Sequence, residues 1–424
     1  MVVSRVGGQS VGMRSDLHGP LSAYAARLHA TVGDGHHVAS PLGAWLLLAV
    51  TATTADSDPA VADGAAVKLA QALGTDLPSA AEVARTLLDA PHPLVGSATA
   101  LWHTAGQGDD GSAAWRAALP RTTEVGALPE QAGLDAWARE HTLGLIETFP
   151  LTVESEVVFI LASALATRVS WATPFDVADA RALGANSPWA GQLRRALRSP
   201  SDSHRCAIVS TARAGDVIVH AAPAQTTDGA GLVVLSVAAA PQVPPAEVLA
   251  IAYDLSAGAA DGAPPAGGRS LFDLPLGETP LWTLTEERVH TWQRDGREER
   301  HNAVLPCWSA RNDHDLTAPA LGFPAAATTL ATALALPMNE FEARQTAVAR
   351  FDRYGFEAAA VTGMAGITSM PPEGVARTAE LRFGHPYAVV AVATDTRAEG
   401  VTGPWHGVPV FSAWVAEPED VPEA

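Results

Sequence analysis

The order of its elements predicts an α+β fold in a single large domain, with helices first and mostly strands after them. Three observations carry that prediction. Helical spacing runs through "LSAYAARLHATV", "PLGAWLLLAVTATTA", "DGAAVKLAQALG" and "SAAEVARTLLDA" in the first ninety residues. Strand-like runs, "RCAIVST", "DVIVHAA", "GLVVLSVAA" and "EVLAIAYDL", then follow between Gly/Asp/Pro clusters, as in an antiparallel meander. The end of the chain alternates in "PYAVVAVATD" and "PVFSAWVAEPED". There is no internal repeat and no clean linker, so the domain is expected over 20–418, with a disordered tail at 1–19 and a short tail at 419–424.

The elements can be justified in order. Ser40-Pro41 is a natural N-cap and first-turn pair for the apolar helix that follows. "VGSATALWHT" reads as a strand. "GLDAWAREHTLGLIETF" has Leu134, Trp137, Leu145 and Ile146 near a helical period, with Gly144 close to its end. "EVVFILASALATRVSW" suits a strand buried on both faces. Residues 177–204 mix breakers with charge and predict little, and "SAGAADGAPPAGGRS" is a loop. "AVARFD" and "TAELRFGHPYAVVAVA" read as strands on either side of an unusual segment, taken up below.

Composition excludes several classes of function. The net charge is −19, Lys68 is the only lysine, and the longest basic run is Arg194–Arg195. Such a chain repels phosphate backbones, so no nucleic-acid partner is expected. No apolar run is long enough for a membrane span, and no signal peptide precedes the domain. A cytoplasmic protein is therefore expected, with extracellular placement by a signal-free route left open. Cys206 and Cys307 read as buried free thiols rather than a disulfide framework. "GQSVG" (Gly8–Gly12) lacks the strand and helix that a nucleophile elbow needs. His36, His37, His92, His103, His301 and His314 show no metal-ligand spacing. No enzymatic activity, metal or cofactor is expected.

The unusual segment is "RYGFEAAAVTGMAGITSMPPEG", Arg353 to Gly374. It is small, apolar and uncharged between Glu357 and Glu373, and long for a loop in a compact domain. No proline interrupts Gly355 to Met370, so every backbone N–H there could pair within a sheet. As a strand it would place Phe356, Ala358, Ala360 and Thr362 on one face and Glu357, Ala359 and Val361 on the other. Pro371 and Pro372 would stiffen the end that stays outside.

Seven segments, in order, resemble one family, the serpins, in a divergent, bacterial-type form. They are "VASPLGAWLLLAV"; "LDAWAREHTLGLI"; "FILASALATRVSWATPF", with Trp171, Pro174 and Phe175; "LPCWSARNDHDL"; "GFEAAAVT"; "ELRFGHPYAVVAV"; and "PVFSAWVAEP". The resemblance covers about 21–418 and is weakest over 177–300. It implies helices packed on a large sheet A with two further sheets, and an exposed reactive-centre loop at about 355–374. It also implies suicide inhibition, in which the cleaved loop inserts into sheet A as a new strand and traps the protease as an acyl-enzyme. The alternative is a non-inhibitory binding or chaperone-like protein that is merely cleaved.

In that resemblance Gly355, Phe356, Glu357, Ala358, Ala359, Ala360, Val361 and Thr362 form the hinge. Counting fifteen residues from Gly355 puts the reactive bond at Ser369–Met370. Aligning the proline pair instead puts it at Thr368–Ser369. Small residues there favour an elastase-like or subtilisin-like protease, met by a monomer. Ser40, Gly43, Ser163, Trp171 and Gln345 fall in the region where the sheet opens. Gly43, Ser163 and Gln345 replace the family's Ser, Asn and His, and Phe356 stands where a small hinge residue is usual.

Overall fold

The computed structural model describes residues 6–55, 64–103, 117–153, 159–167, 169–201, 203–333, 341–355, 372–397 and 400–422, with side chains from Leu17 onward except at 54, 55 and 159. Helices α1 (Val6–Val32), α2 (Pro41–Ala55), α3 (Ala65–Leu73), α4 (Leu77–Leu88) and α5 (Gln131–His141) belong to the first third of the chain. Two more follow, α6 (Pro245–Ser256) and α7 (Phe323–Ala333). The early strands are β1 (His37–Ala39), β2 (Val95–His103), β3 (Thr123–Ala127), β4 (Phe159–Thr167), β5 (Asp176–Asp179) and β6 (Arg195–Arg198). The middle strands are β7 (Arg205–Thr211), β8 (Gly215–Pro223), β9 (Ala230–Ala238), β10 (Gly277–Glu278), β11 (Trp282–His290) and β12 (Arg297–Leu305). The last are β13 (Trp308–Asp315), β14 (Arg344–Phe351), β15 (Glu373–Arg382), β16 (Tyr387–Asp395) and β17 (Pro409–Val415).

Four groups of strands form. Two are six-stranded, in the orders β1-β17-β16-β9-β8-β7 and β10-β11-β15-β12-β6-β5. The others are a three-stranded group, β3-β2-β4, and a two-stranded group, β13-β14. The large sheet A expected from the resemblance thus appears as these last two halves.

Packing follows from sequence pattern. Leu17, Leu21, Tyr24 and Leu28 recur at helical spacing on α1 and are almost wholly buried. In α2, Leu42, Trp45, Leu46, Leu48, Ala49 and Val50 are all at most 1% exposed, so the helix is enclosed on all sides. Trp45 Nε1 donates to the Leu73 carbonyl at 3.0 Å, which satisfies its one polar atom. Val248, Ile251 and Ala252 of α6 pack on Val233 and Leu235 of β9 and Val390 and Val392 of β16.

Several expectations are corrected. The disordered tail at 1–19 is helical from Val6, and α1 continues through Pro20. Chain-end residues counted as tail are held in place: Glu419 N donates to the Cys307 carbonyl, Asp420 accepts from Arg195 N, and Val421 is buried. "EVLAIAYDL" is helix α6, because Pro245 in the first turn starts a helix that a short apolar run cannot distinguish from a strand. "TAELRFGHPYAVVAVA" is two strands, β15 and β16, broken at Phe383–Pro386. β4 buries Ile160, Ala162, Ala164 and Ala166 completely, but Leu161, Ser163 and Leu165 on its other face only partly. Hinge residues Phe356 to Thr362 and the candidate bond residues Thr368, Ser369 and Met370 lie outside the described residues.

Candidate functional site

β4 and β14 run beside each other without pairing. Among the described residues β4 is bonded only to β2, and β14 only to β13. Between them lies a cavity of about 570 Å³. Leu165, Ala166 and Val169 line one wall, Thr346 to Phe351 the other, and Val389, Ala391 and Phe411 lie beneath. Two facing strand edges with unused backbone donors and acceptors are a template for one more strand.

One end of the slot is closed by the residues that lead into the loop. Ser170 and Gly355 form an antiparallel bridge, and Trp171 N donates to the Tyr354 carbonyl at 3.2 Å. Trp171 Nε1 donates to the Asp352 carbonyl at 2.8 Å, while the Asp352 carboxylate accepts from Gly355 N at 2.9 Å. Gly355 has φ +73°, and a Cβ there would sit 2.3 Å from the Val169 carbonyl oxygen. Only glycine fits that turn. Beneath it Trp171, Phe175 and Phe351 form an aromatic layer, with centroids 5.0 Å (Trp171–Phe351) and 5.4 Å (Phe175–Phe351) apart.

The other end is bridged by polar contacts. Gln345 Nε2 donates to the Ser40 carbonyl and Ser40 N donates to Gln345 Oε1, both at 2.9 Å. Ser40 Oγ donates to the Val410 carbonyl at 3.0 Å and accepts from Gly43 N at 3.2 Å. Ser163 Oγ donates to the Gly43 carbonyl at 3.2 Å. The chain β14–Gln345–Ser40–Gly43–Ser163–β4 therefore straddles the slot through the start of α2. Of the five residues expected in the opening region, four meet here. Trp171 does not: it belongs to the opposite end, about 20 Å away by strand length.

The bonding of the histidines at both ends was not legible in the sequence, because most of their partners are remote in the chain. His29 bonds His37 and Ser412, both at 2.7 Å, and His314 bonds the Val38 carbonyl at 2.7 Å. Under the aromatic layer, His204 bonds His220 and the Thr173 carbonyl, both at 3.0 Å. Burial holds His29 down to about 3 and His204 down to about 4, and it lowers His220, His37 and His314 as well. These rings are neutral in the fold, whereas the unfolded chain takes up protons below pH 6.5. Their stabilisation is complete above pH 6.5 and is lost as pH falls toward 4 for His204 and 3 for His29. His29 and His204 are each expected to cost about 2 kcal/mol by pH 5. Denaturant titrations at pH 7.5 and pH 5 should read the drop, and His204→Gln should reduce it.

The two cysteines are free, and burial raises the Cys307 thiol to about 12. No group of His, Cys, Asp and Glu among the described residues could hold a metal ion.

The loop's far end is anchored in β15, which is clamped on both edges. β15 pairs with β11 over nine antiparallel positions, Glu373↔His290 to Leu381↔Trp282. On its other side it pairs in parallel with β12 over eight positions, Val375↔Arg297 to Arg382↔Val304. Arg377 adds an ion pair to Glu286 at 2.8 Å and donates to the carbonyls of Leu271 and Leu274.

No family model matches the chain, and no curated protein matches it. Solved structures do match over nearly its whole length. The thermophilic serpin tengpin in its native state is 13% identical with a TM-score of 0.61, covering 95% of this chain and 94% of that one. Arabidopsis AtSerpin1 in its native stressed conformation is 15% identical with a TM-score of 0.60, covering 96% and 98%. Human thyroxine-binding globulin complexed with its hormone is 12% identical with a TM-score of 0.56, covering 96% and 99%. Matched over nearly their whole length at TM-scores of 0.56 to 0.61, these structures show that this chain has the serpin fold.

Proposed function

We propose that the protein is a suicide inhibitor of an endopeptidase, and that the slot between β4 and β14 receives its cleaved loop. One observation carries this reading: two unpaired strand edges flank an apolar cavity, and Gly355 leads straight from β14 into a proline-free segment of small residues. Attack at Ser369–Met370 or Thr368–Ser369 forms an acyl-enzyme. The freed N-terminal side then enters the slot and carries the bound protease with it, a stored-strain switch. Residues of this size fit elastase-like or subtilisin-like primary pockets. The intact Gln345–Ser40–Gly43–Ser163 chain supports the same reading, because it can close the sheet before insertion despite its altered residues.

A second reading, a binding protein cleaved only as a substrate, is favoured by Phe356 and by the thyroxine-binding globulin among the structural matches. Incubation with subtilisin or pancreatic elastase separates the two. A band that survives SDS, at the summed mass of protein and protease, is expected. A clipped protein with fully active protease would leave only the second reading.

A further inference from the structure

We propose that the turn joining β11 to β12 is a second contact for the protease engaged on the loop, with Trp292 as its apolar anchor and Arg294 beside it. The proposal rests on the inhibitory reading and adds to it a surface outside the bait sequence.

The first observation is exposure. Trp292 is 65% exposed, whereas the other nine described tryptophans are each at most 7% exposed. A chain that buries its other described indoles so thoroughly leaves this one out at a turn. Its neighbours Gln293, Arg294 and Asp295 are exposed as well. The flanking residues hold the turn rigidly: Thr291 is buried, Arg297 N donates to Asp295 Oδ1 at 3.0 Å, and Gly296 has φ +70°. The Arg297 guanidinium lies over the Phe272 ring at 5.1 Å, so it is occupied. Arg294 makes no ion pair among the described residues and is available to a carboxylate.

The second observation is position. Thr291 N donates to the Pro372 carbonyl at 3.0 Å, and Val375 N donates to the Gly296 carbonyl at 2.8 Å. Gly374 packs so closely that a Cβ there would lie 2.5 Å from the Gly296 carbonyl oxygen. The turn is thus bonded to the primed-side end of the loop, two or three residues beyond Ser369–Met370. Two or three extended residues span about 10 Å, far less than the width of a protease. An enzyme acting on that bond must lie against the turn. The surface fits a protease with an apolar depression and a carboxylate beside its primed-side cleft, since Trp and Arg are the side chains most often found as binding anchors.

The test is kinetic. Trp292→Ala, Trp292→Phe and Arg294→Ala are compared with the parent protein for the second-order rate of SDS-stable complex formation with subtilisin and with pancreatic elastase. Trp292→Ala is expected to slow association about tenfold with at least one enzyme, Trp292→Phe to restore most of the rate, and Arg294→Ala to slow it a few-fold. The ratio of trapped to escaped protease should not change, because the turn takes no part in insertion. If the parent protein is only clipped, inhibition fails, but the same slowing should appear in the rate of clipping. Trp292→Ala reacting at the parent rate with both enzymes overturns the proposal. So does a Trp292→Ala effect confined to a change of oligomeric state on size exclusion, which would assign the indole to a second copy of the chain.

Discussion

Cutting the loop between residues 356 and 371 is expected to raise the melting temperature by on the order of 10 to 20 °C. β14 offers eight residues along the slot, and β4 a matching edge. An entering strand of that length would pair every backbone N–H and C=O it carries. Each such bond is worth about 1 kcal/mol net, in a site already lined by apolar side chains. The intact protein should not make this gain on its own. Glu373 sits at the far end of β15, eight register positions from Leu381, or about 25 Å at 3.3 Å per residue. The end near Leu381 is the one that adjoins β13 and β14, through Val304 and Leu305. While uncut, residues 356–371 must connect Gly355 to the end of β15 at Glu373. Deeper entry would require β15 to leave two ladders at once. Limited proteolysis followed by calorimetry gives the comparison, with prolonged warming of uncut protein as the control. A cleaved protein that melts where the intact one does would mean that the loop stays outside the slot.

How much of this was legible in the sequence depended on whether the signal was local. Ser40-Pro41, the apolar α2 and the strands β7, β8 and β9 announced themselves by capping and by run length, which are local properties. The reading failed where local signals were ambiguous. "EVLAIAYDL" is a short, mostly apolar run between Glu247 and Asp254, so Pro245 was the main mark of a helix. The segment before Leu21 lacked an apolar stripe long enough to show that α1 begins at Val6. Nothing in the sequence revealed that β11 would lie outside β15, because a nine-position ladder between residues about ninety apart has no local signature. The site divided in the same way. Motif order grouped Ser40, Gly43, Ser163, Gln345 and Trp171, and the fold links the first four by hydrogen bonds while Trp171 bonds Asp352 at the other end of the slot. Proximity along a motif list does not distinguish the two ends of a strand. The histidine pairs were invisible because partners such as His29 and Ser412 are brought together only by the fold.

Phe356→Thr is expected to reduce the fraction of protease that escapes, by a factor of up to about 5 to 150 where overpacking controls the first step of insertion. The physical reason lies at the closed end of the slot. Residue 356 would enter next to Gly355, where Trp171 is 3% exposed and Phe351 2%. The Ser170–Gly355 bridge and the bond from Trp171 N to Tyr354 must open first, and the aromatic layer beneath leaves little room for another phenyl ring. Overpacking a dense site costs about 1 to 3 kcal/mol, which falls directly on the insertion rate when that step is limiting. Deacylation by the protease is unaffected, so the competition between the two steps shifts. Threonine is small enough to pass and branched enough to favour a strand. The measurement is the number of inhibitor molecules consumed per protease trapped, for the parent protein and the variant, against the same enzyme. A lower number for Phe356→Thr identifies this one side chain as the brake on insertion. An unchanged or higher number would show that the closed end accommodates the ring, and that any escape arises from opening the bridge rather than from filling the layer below it.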